Sequence, residues 1–194
     1  LASLIQKKSE LESIGRLSVF YREYQCEVVG DEDQFFNEEN LQYWEGYYEK
    51  GLDRSGYINI TQLGDDIFEV PIRKHVHVFM GIDPASSIKK TADYSVILPI
   101  AIDSDDNRYV LPYFRKRVKP MDLARSILEY DTLYSPTKAH IESVAYQEML
   151  RDYITRKRFI PGFGKKLNPR TSKSSRLESL QPWFHQNKVF IKTS

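Results

Sequence analysis

Two carboxylates stand at the ends of apolar runs. Asp83 closes His75-Val-His-Val-Phe-Met-Gly-Ile-Asp ahead of Pro84, and Glu142 closes Lys138-Ala-His-Ile-Glu ahead of Ser143. Runs of this length and composition predict strands. If the two strands are neighbours, ionised carboxylates about 5 Å apart repel by about 3 kcal/mol at an effective dielectric near 20. A fold keeps such a pair when one member is protonated or when a divalent cation lies between them. The second arrangement is the chemistry of metal-dependent phosphoryl transfer. Singly, each residue has a plainer reading. Asp-Pro commonly starts turns, and a glutamate beside the N-cap Ser143 is favoured by the positive end of the following helix. Only their meeting in space makes a site.

The elements that must bring them together are legible in outline. His75–Asp83, Asp93–Ile102 and Arg108–Arg115 read as strands, with Asp103–Asn107 a turn between the last two. Short connections make the three an antiparallel meander. Pro99 and Pro112 fall inside the second and third runs, where each removes a ladder donor and favours an edge or a bulge. Pro120 opens a helix with Leu123, Ala124, Ile127 and Leu128 on one face. Lys138–Glu142 is then a fourth strand, parallel to the first after a helical crossover. Next comes a helix with the stripe Ala145, Tyr146, Met149, Leu150, Tyr153 and Ile154, capped by Ser143. A loop over 160–175, a helix over 174–181 and a strand over 188–192 follow.

The fold class is α/β: a mixed sheet, antiparallel over its first three strands and then parallel, flanked by helices. In this order Asp83 and Glu142 both reach the carboxyl end of the sheet, where open sheets place their sites. Asp93 opens the second strand near the same end, as an accessory ligand or a turn residue. Residues 1–72 read as a helical N-terminal segment. Leu41, Trp44 and Tyr48, with Tyr43 and Tyr47, recur at i, i+3 and i+4 and predict an amphipathic helix across 38–50.

Composition sets the outer bounds. A chain of 194 residues holds one full domain and a smaller appendage. The lone Cys26 excludes an internal disulfide, and no apolar run approaches a membrane span. Both point to an intracellular protein. The chain starts at Leu1 with no methionine before Met80, as a piece of a longer protein would. His75, His77, His140 and His185 are too scattered along these elements to form a metal set. Charge is unevenly spread: residues 1–72 carry 6 basic against 15 acidic side chains, and residues 151–194 carry 11 against 2, within a net charge of +1. A basic tail fits a polyphosphate partner, and equally a solvated face that balances the acidic front.

No complete G-x-x-x-x-G-K-[ST] loop occurs, because Gly162-Phe-Gly-Lys-Lys lacks the first glycine and the hydroxyl residue. Gly81-Ile-Asp-Pro-Ala-Ser-Ser is similar to the first phosphate loop of the actin, Hsp70 and sugar-kinase group, but no second phosphate loop or adenosine site accompanies it. A more extensive resemblance runs through Met80-Gly-Ile-Asp-Pro-Ala, Ala92-Asp-Tyr-Ser-Val, Ile141-Glu-Ser-Val-Ala-Tyr-Gln, Lys173-Ser-Ser-Arg176-Leu and Leu180-Gln-Pro. In this order and setting the motifs resemble the nuclease half of the large terminase subunit of tailed double-stranded DNA phages. Phe20-Tyr-Arg-Glu-Tyr-Gln-Cys-Glu-Val and Phe35-Phe36 resemble the connector to that protein's ATPase half.

The resemblance implies a ribonuclease H-like fold and an endonuclease that cuts concatemeric viral DNA using Mg²⁺ or Mn²⁺. It implies residues 1–72 as the connector from an ATPase domain and 73–194 as the nuclease domain. Asp83 and Glu142 carry over as catalytic metal ligands, and Asp93 more loosely as an accessory one. Lys173 and Arg176 match the family's basic motif. With Lys165, Lys166 and Arg170 in the basic segment, they are the expected DNA contacts. The family's third acid follows its last strand; none stands at that place here, so the nuclease domain is expected to be incomplete at its C-terminus. The implied partners are double-stranded DNA, the ATPase domain of the same polypeptide, the portal and the small terminase subunit, in the host cytoplasm and away from any membrane. A RuvC- or transposase-like nuclease shares the same acids. A catalytically silent docking module of the packaging motor predicts no metal binding.

Overall fold

One strand organises the molecule. The computed structural model, which describes residues 4–6, 8–9, 36, 38–85, 93–142, 147–163 and 173–193, contains β1 (Gln42–Lys50), β2 (Gly56–Leu63), β3 (Asp66–Asp83), β4 (Ser95–Asp103), β5 (Arg108–Val110), β6 (Phe114–Lys116), β7 (Lys138–Ile141) and β8 (Val189–Lys192). The helices are α1 (Pro120–Tyr134), α2 (Gln147–Lys157), α3 (Lys173–Glu178) and α4 (Gln181–His185). All lie in the compact unit Leu41–Ser194; a second unit, Leu1–Asn40, ends in a single 3-10 turn at Glu38–Asn40. No described helix is long and apolar enough to cross a membrane.

Strand β3 is shared between two cores. Its first part pairs antiparallel with β2 from Asp66 to Val76, and its last part pairs parallel with β7 from Phe79 to Ile82. Along its other edge β4 runs antiparallel from Val76 to Asp83. Period-two alternation sends Val76, Val78, Met80 and Ile82 inward while His77, Phe79, Gly81 and Asp83 are exposed. Val76 and Val78 enter a core with Trp44, Ile58, Ile60, Ala101, Tyr109 and Phe190. Met80 and Ile82 enter another, with Ile97, Ala139, Ile141 and residues of α1 and α2.

The first core lies inside a ring of strands. β3 pairs β4, β4 pairs β5, β5 pairs β8, β8 pairs β1, β1 pairs β2, and β2 returns to β3. Closure removes most free edges, which otherwise expose backbone donors and acceptors. Trp44 fills the ring, with its Nε1 donating to the Val110 carbonyl at 3.2 Å and its ring edge-on to Tyr109. Asp103 is buried, and its carboxylate accepts from Lys74 Nζ, the Asp105 and Asn107 amides, Asn107 Nδ2 and the Tyr109 hydroxyl. Each buried lone pair thus has a donor.

The helix expected over 38–50 and the helical character expected of residues 42–72 are corrected here. Residues 42–50, 56–63 and 66–83 are strands of the same unit as the rest, so the boundary expected at 72/73 does not separate helical from sheet structure. Spacings of i and i+4 fit a period of two as well as one of 3.6, so Trp44 and Tyr48 share a face in either element. A dense run of aromatic side chains tips the choice to strand. The strand admits one irregularity, a register shift at Glu45/Gly46. Gly46 takes φ +146°, and a Cβ there would come within 2.0 Å of the Asn59 carbonyl oxygen, so only glycine fits.

The expected third strand, Arg108–Arg115, is broken into β5 and β6 at Leu111-Pro112-Tyr113. This break resolves the position of Pro99 within β4, which has partners on both sides. The Pro99 carbonyl accepts from Leu111 N at 3.1 Å, so its nitrogen faces the same edge, where β5 has ended and β6 has not begun. No ladder bond to β3 is lost.

Helix α1 buries Leu123, Ala124, Ile127, Asp131 and Tyr134. Asp131 is held by Arg158 Nε at 2.9 Å and Arg54 at 3.5 Å. Arg54, in the β1–β2 turn, also donates to the carbonyls of Pro136 and Phe159. This hub ties the hairpin to both helices. The parallel placement of β7 beside β3 follows the sequence expectation, as do α1 and β8, while the expected helix over 174–181 is two short helices, α3 and α4.

Candidate metal and nucleic-acid site

The acid pair is positioned by β3 and β7. Their register runs Phe79 to Lys138, Met80 to Ala139, Gly81 to His140 and Ile82 to Ile141. One step further, the Glu142 amide donates to the Ile82 carbonyl at 2.9 Å, which sets Glu142 beside Asp83 at the carboxyl ends of adjacent parallel strands. Ile82 and Ile141 are buried in the helix-backed core, so Asp83 and Glu142, next in the alternation, project from the opposite face of the sheet. Adjacent parallel strands are about 4.8 Å apart. The meeting expected from sequence therefore occurs in the backbone.

The chain leaves the site in an ordered way. Beyond Asp83, Pro84 and Ala85 are buried, and the Ala85 amide donates to the buried Ser95 hydroxyl at 3.0 Å. This bond pins the segment after Asp83 to the start of β4. Asp93 is exposed and stands two residues before that anchor, at the same end of the sheet. Among the described residues no group of three or more His, Cys, Asp or Glu is arranged to hold a metal.

Arg176, on α3, donates to Glu142 Oε1 at 3.2 Å, with both side chains partly exposed. An ion pair this open contributes about 0–1 kcal/mol. Its importance is positional: it brings the matched basic residue onto the acid pair. Lys165, Lys166 and Arg170 lie outside the described residues, as do the Lys173 side chain, the Ser143 cap and the Ala145 and Tyr146 stripe positions. Of the glycine-rich loop, Pro161–Phe163 is packed rather than open to a ligand. The Pro161 carbonyl accepts from Ala139 N at 2.8 Å, and Phe163 is fully buried.

Of the histidines, His75 packs edge-on to Tyr57 and His77, and His77 Nδ1 is 3.4 Å from the Thr137 hydroxyl. The sequence reading missed Ser95 and the basic strand β6. The signal for the second was present in Arg115-Lys-Arg-Val-Lys119, a run with four basic residues in five.

Two carboxylates on adjacent strand ends supply hard oxygen donors, the set that suits Mg²⁺, Mn²⁺ or Ca²⁺ and not a soft cation. The residues fit a divalent ion as partial ligands, with Arg176 competing for one Glu142 oxygen. No protein-family model matches the sequence, and no curated protein is detectably similar to it. Solved structures are. The large terminase nuclease from thermophilic phage G20c, in its crystal structure with bound cobalt, matches with a TM-score of 0.50 at 12% identity, over 80% of this chain and 71% of that one. The fold is similar to that of a terminase nuclease. The crystal structures of the same nuclease without a named metal and with bound magnesium give 0.49 at 13% identity over 80% of this chain. At such identity the likeness speaks for a mixed α/β fold of this kind and for nothing finer.

Proposed function

We propose that this chain is the metal-dependent endonuclease domain of a phage DNA-packaging terminase, with a ribonuclease H-like fold, acting on concatemeric double-stranded DNA. The observation that carries the reading is the placement of Asp83 and Glu142 side by side at the ends of parallel β3 and β7, on the face away from the helices. The similarity of fold and the sequence motifs around both acids support it. That the similar nuclease binds cobalt supports a divalent metal.

Asp83 and Glu142 would hold Mg²⁺ or Mn²⁺, with Asp93 as an accessory oxygen donor. A divalent ion so held supplies an acidified water and charge neutralisation at the leaving oxygen. The chain's own contribution is placement. The Ala85–Ser95 hydrogen bond fixes the turn after Asp83, and the Ile82–Glu142 bond fixes the second acid relative to the first. Arg176 moderates the negative charge of Glu142 and is positioned to meet a phosphate approaching it. Lys165, Lys166, Arg170 and Lys173 extend the phosphate contacts, which position the duplex without reading its sequence. On this reading the partners are double-stranded DNA and, by family resemblance, the ATPase domain of the same polypeptide, the portal and the small terminase subunit, in the host cytoplasm.

The test is calorimetric titration of Mn²⁺ together with cleavage of linear duplex. A polypeptide that carries this chain together with the family's third acid binds Mn²⁺ and cuts; within it Asp83→Asn and Glu142→Gln each weaken binding and lower cutting by about 100-fold or more. Cutting that survives both substitutions, or that needs no metal, overturns the assignment. Preference for branched over linear duplex would instead favour a resolvase-like enzyme.

A further inference from the structure

Across the sheet, one row of residues runs past the acid pair to a free edge. Asp83 is paired with Val96 of β4, and Val96 is paired with Arg115 of β6. Paired residues of neighbouring strands share a face. The neighbouring row confirms which face this is: Ile82, Ile97 and Phe114 are all buried in the helix-backed core. Arg115, Val96, Asp83 and Glu142 therefore line the opposite side, in that order. Two strand spacings put the Arg115 backbone about 10 Å from that of Asp83.

Three further observations concern β6. It pairs only with β4 among the described strands, so it is an edge. Four of the five residues 115–119 are basic, and Arg115, Lys116, Arg117 and Lys119 are all exposed. The Arg115 and Arg117 guanidiniums both lie over the Tyr94 ring, at 3.8 and 4.4 Å from its centre. Stacking on the ring holds their planes while leaving hydrogen-bond donors at the rim. Neither Arg115 nor Lys116 makes an ion pair with a described carboxylate. Exposed cationic side chains beside a carboxylate site, two of them held on one ring, have an electrostatic reason to exist if a polyanion crosses both.

We propose that β6, through Arg115 and Arg117 stacked on Tyr94 and assisted by Lys116, is a phosphate clamp for duplex DNA, gripping the backbone beside the phosphate at Asp83 and Glu142. This rests on the nuclease reading for the identity of the polyanion. The acids then lie between two basic banks, Arg176 on the Glu142 side and Arg115 on the Asp83 side. A 10 Å offset corresponds to about three nucleotide rises of 3.4 Å along a duplex strand. The clamp therefore meets the backbone a few nucleotides from the cleaved bond and is indifferent to base sequence.

The experiment measures equilibrium binding of the 194-residue chain to a fluorescein-labelled linear duplex in EDTA, across a KCl series. In Arg115→Gln/Arg117→Gln, affinity at 0.1 M salt falls about tenfold or more, and the slope of log K against log salt becomes shallower by about 2, near one unit per lost contact. Arg115→Lys/Arg117→Lys keeps the wild-type slope, which a purely structural role for the stack would not predict. Arg73→Gln, ten residues back along β3 from Asp83, leaves the slope unchanged. An unchanged slope in the double glutamine variant, or an equal loss with Arg73→Gln, overturns the clamp. The two proposals fail separately. Metal-dependent cutting that Asp83→Asn abolishes, with DNA binding indifferent to Arg115 and Arg117, removes the clamp and keeps the nuclease. Binding that depends on both arginines, in a polypeptide that carries the third acid yet cuts nothing with Mn²⁺, removes the nuclease and keeps a duplex-binding surface.

Discussion

The two ends of the β3–β4 ladder treat acidic residues in opposite ways. At one end Asp103, paired across from Val76, is buried and receives five hydrogen bonds from Lys74, Asp105, Asn107 and Tyr109. At the other end Asp83, paired across from Val96, is exposed beside a partly exposed Glu142 whose carboxylate meets one arginine. The first carboxylate is satisfied by the protein and closes the strand ring. The second pair stands at the surface, with Arg176 on one Glu142 oxygen. Burial with saturated donors marks a structural acid; shared exposure at strand ends marks a candidate ligand set. Residue type alone does not distinguish them.

Substitutions at each end should sort by what they damage. Trp44→Ala empties the centre of the ring and should lower stability by about 3–5 kcal/mol, read as a fall in Tm on the order of 10 °C. Activity per folded molecule should stay as it was. Asp103→Ala follows at about 3 kcal/mol, because it strands the Tyr109 hydroxyl and the Lys74 ammonium. By contrast Asp83→Ala should move stability by less than about 0.5 kcal/mol, as exposed positions do. If Asp83→Ala unfolds the chain while Asp103→Ala does not, the contrast is wrong.

Acid should weaken the first end through Asp103. Burial pushes Asp103 up, but hydrogen bonds from Asn107 and Lys74, with the Lys74 charge, outweigh it and hold the carboxyl below its ordinary value. Its contribution is full above the unfolded value of about 3.9 and is lost as pH falls through the lower folded value. Lys74 is the mirror case. Burial pushes it down, contacts with Asp103 and Asp105 raise it on balance, and its contribution fades only as pH climbs through that raised value. Urea melts at pH 7 and pH 3 should show wild type losing more stability on acidification than Asp103→Asn.

The smallest effect belongs to the second end. Arg176→Ala should cost under about 1 kcal/mol, and it should tighten Mn²⁺ binding a few-fold by releasing a Glu142 oxygen and removing a positive charge. Calorimetry checks both halves of that statement, and weaker Mn²⁺ binding would show that Arg176 assists the acids instead of competing with them.

What could be read in the sequence divides along the same line. His75–Asp83 and Lys138–Ile141 are alternating or apolar runs bounded by Pro84 and Ser143, so period and punctuation agree and the acid pair could be anticipated. Residues 41–63 could not, because Trp44 and Tyr48 satisfy two periods at once and the deciding contacts come from β8, nearly 150 residues away. Asp103 looked like one of several turn acids, since its donors arrive from β3 and β5 as well as from the turn itself. Arg115 lacked meaning until pairing placed it in line with Asp83. Local pattern shows which residues alternate, while cross-strand register decides what they face.

Strand β3 also bears on how such a sequence can drift. It carries two registers on one stretch of backbone, set by β2 at its start and by β4 and β7 at its end. A single inserted or deleted residue between Arg73 and Met80 would invert every side chain beyond it. Asp83 would turn into the helix-backed core and Ile82 toward solvent. Length changes there are tolerable only in compensating pairs or as a bulge. Insertions and deletions in relatives of this chain should therefore avoid the stretch from Arg73 to Asp83, which makes β3 the segment on which to anchor any alignment.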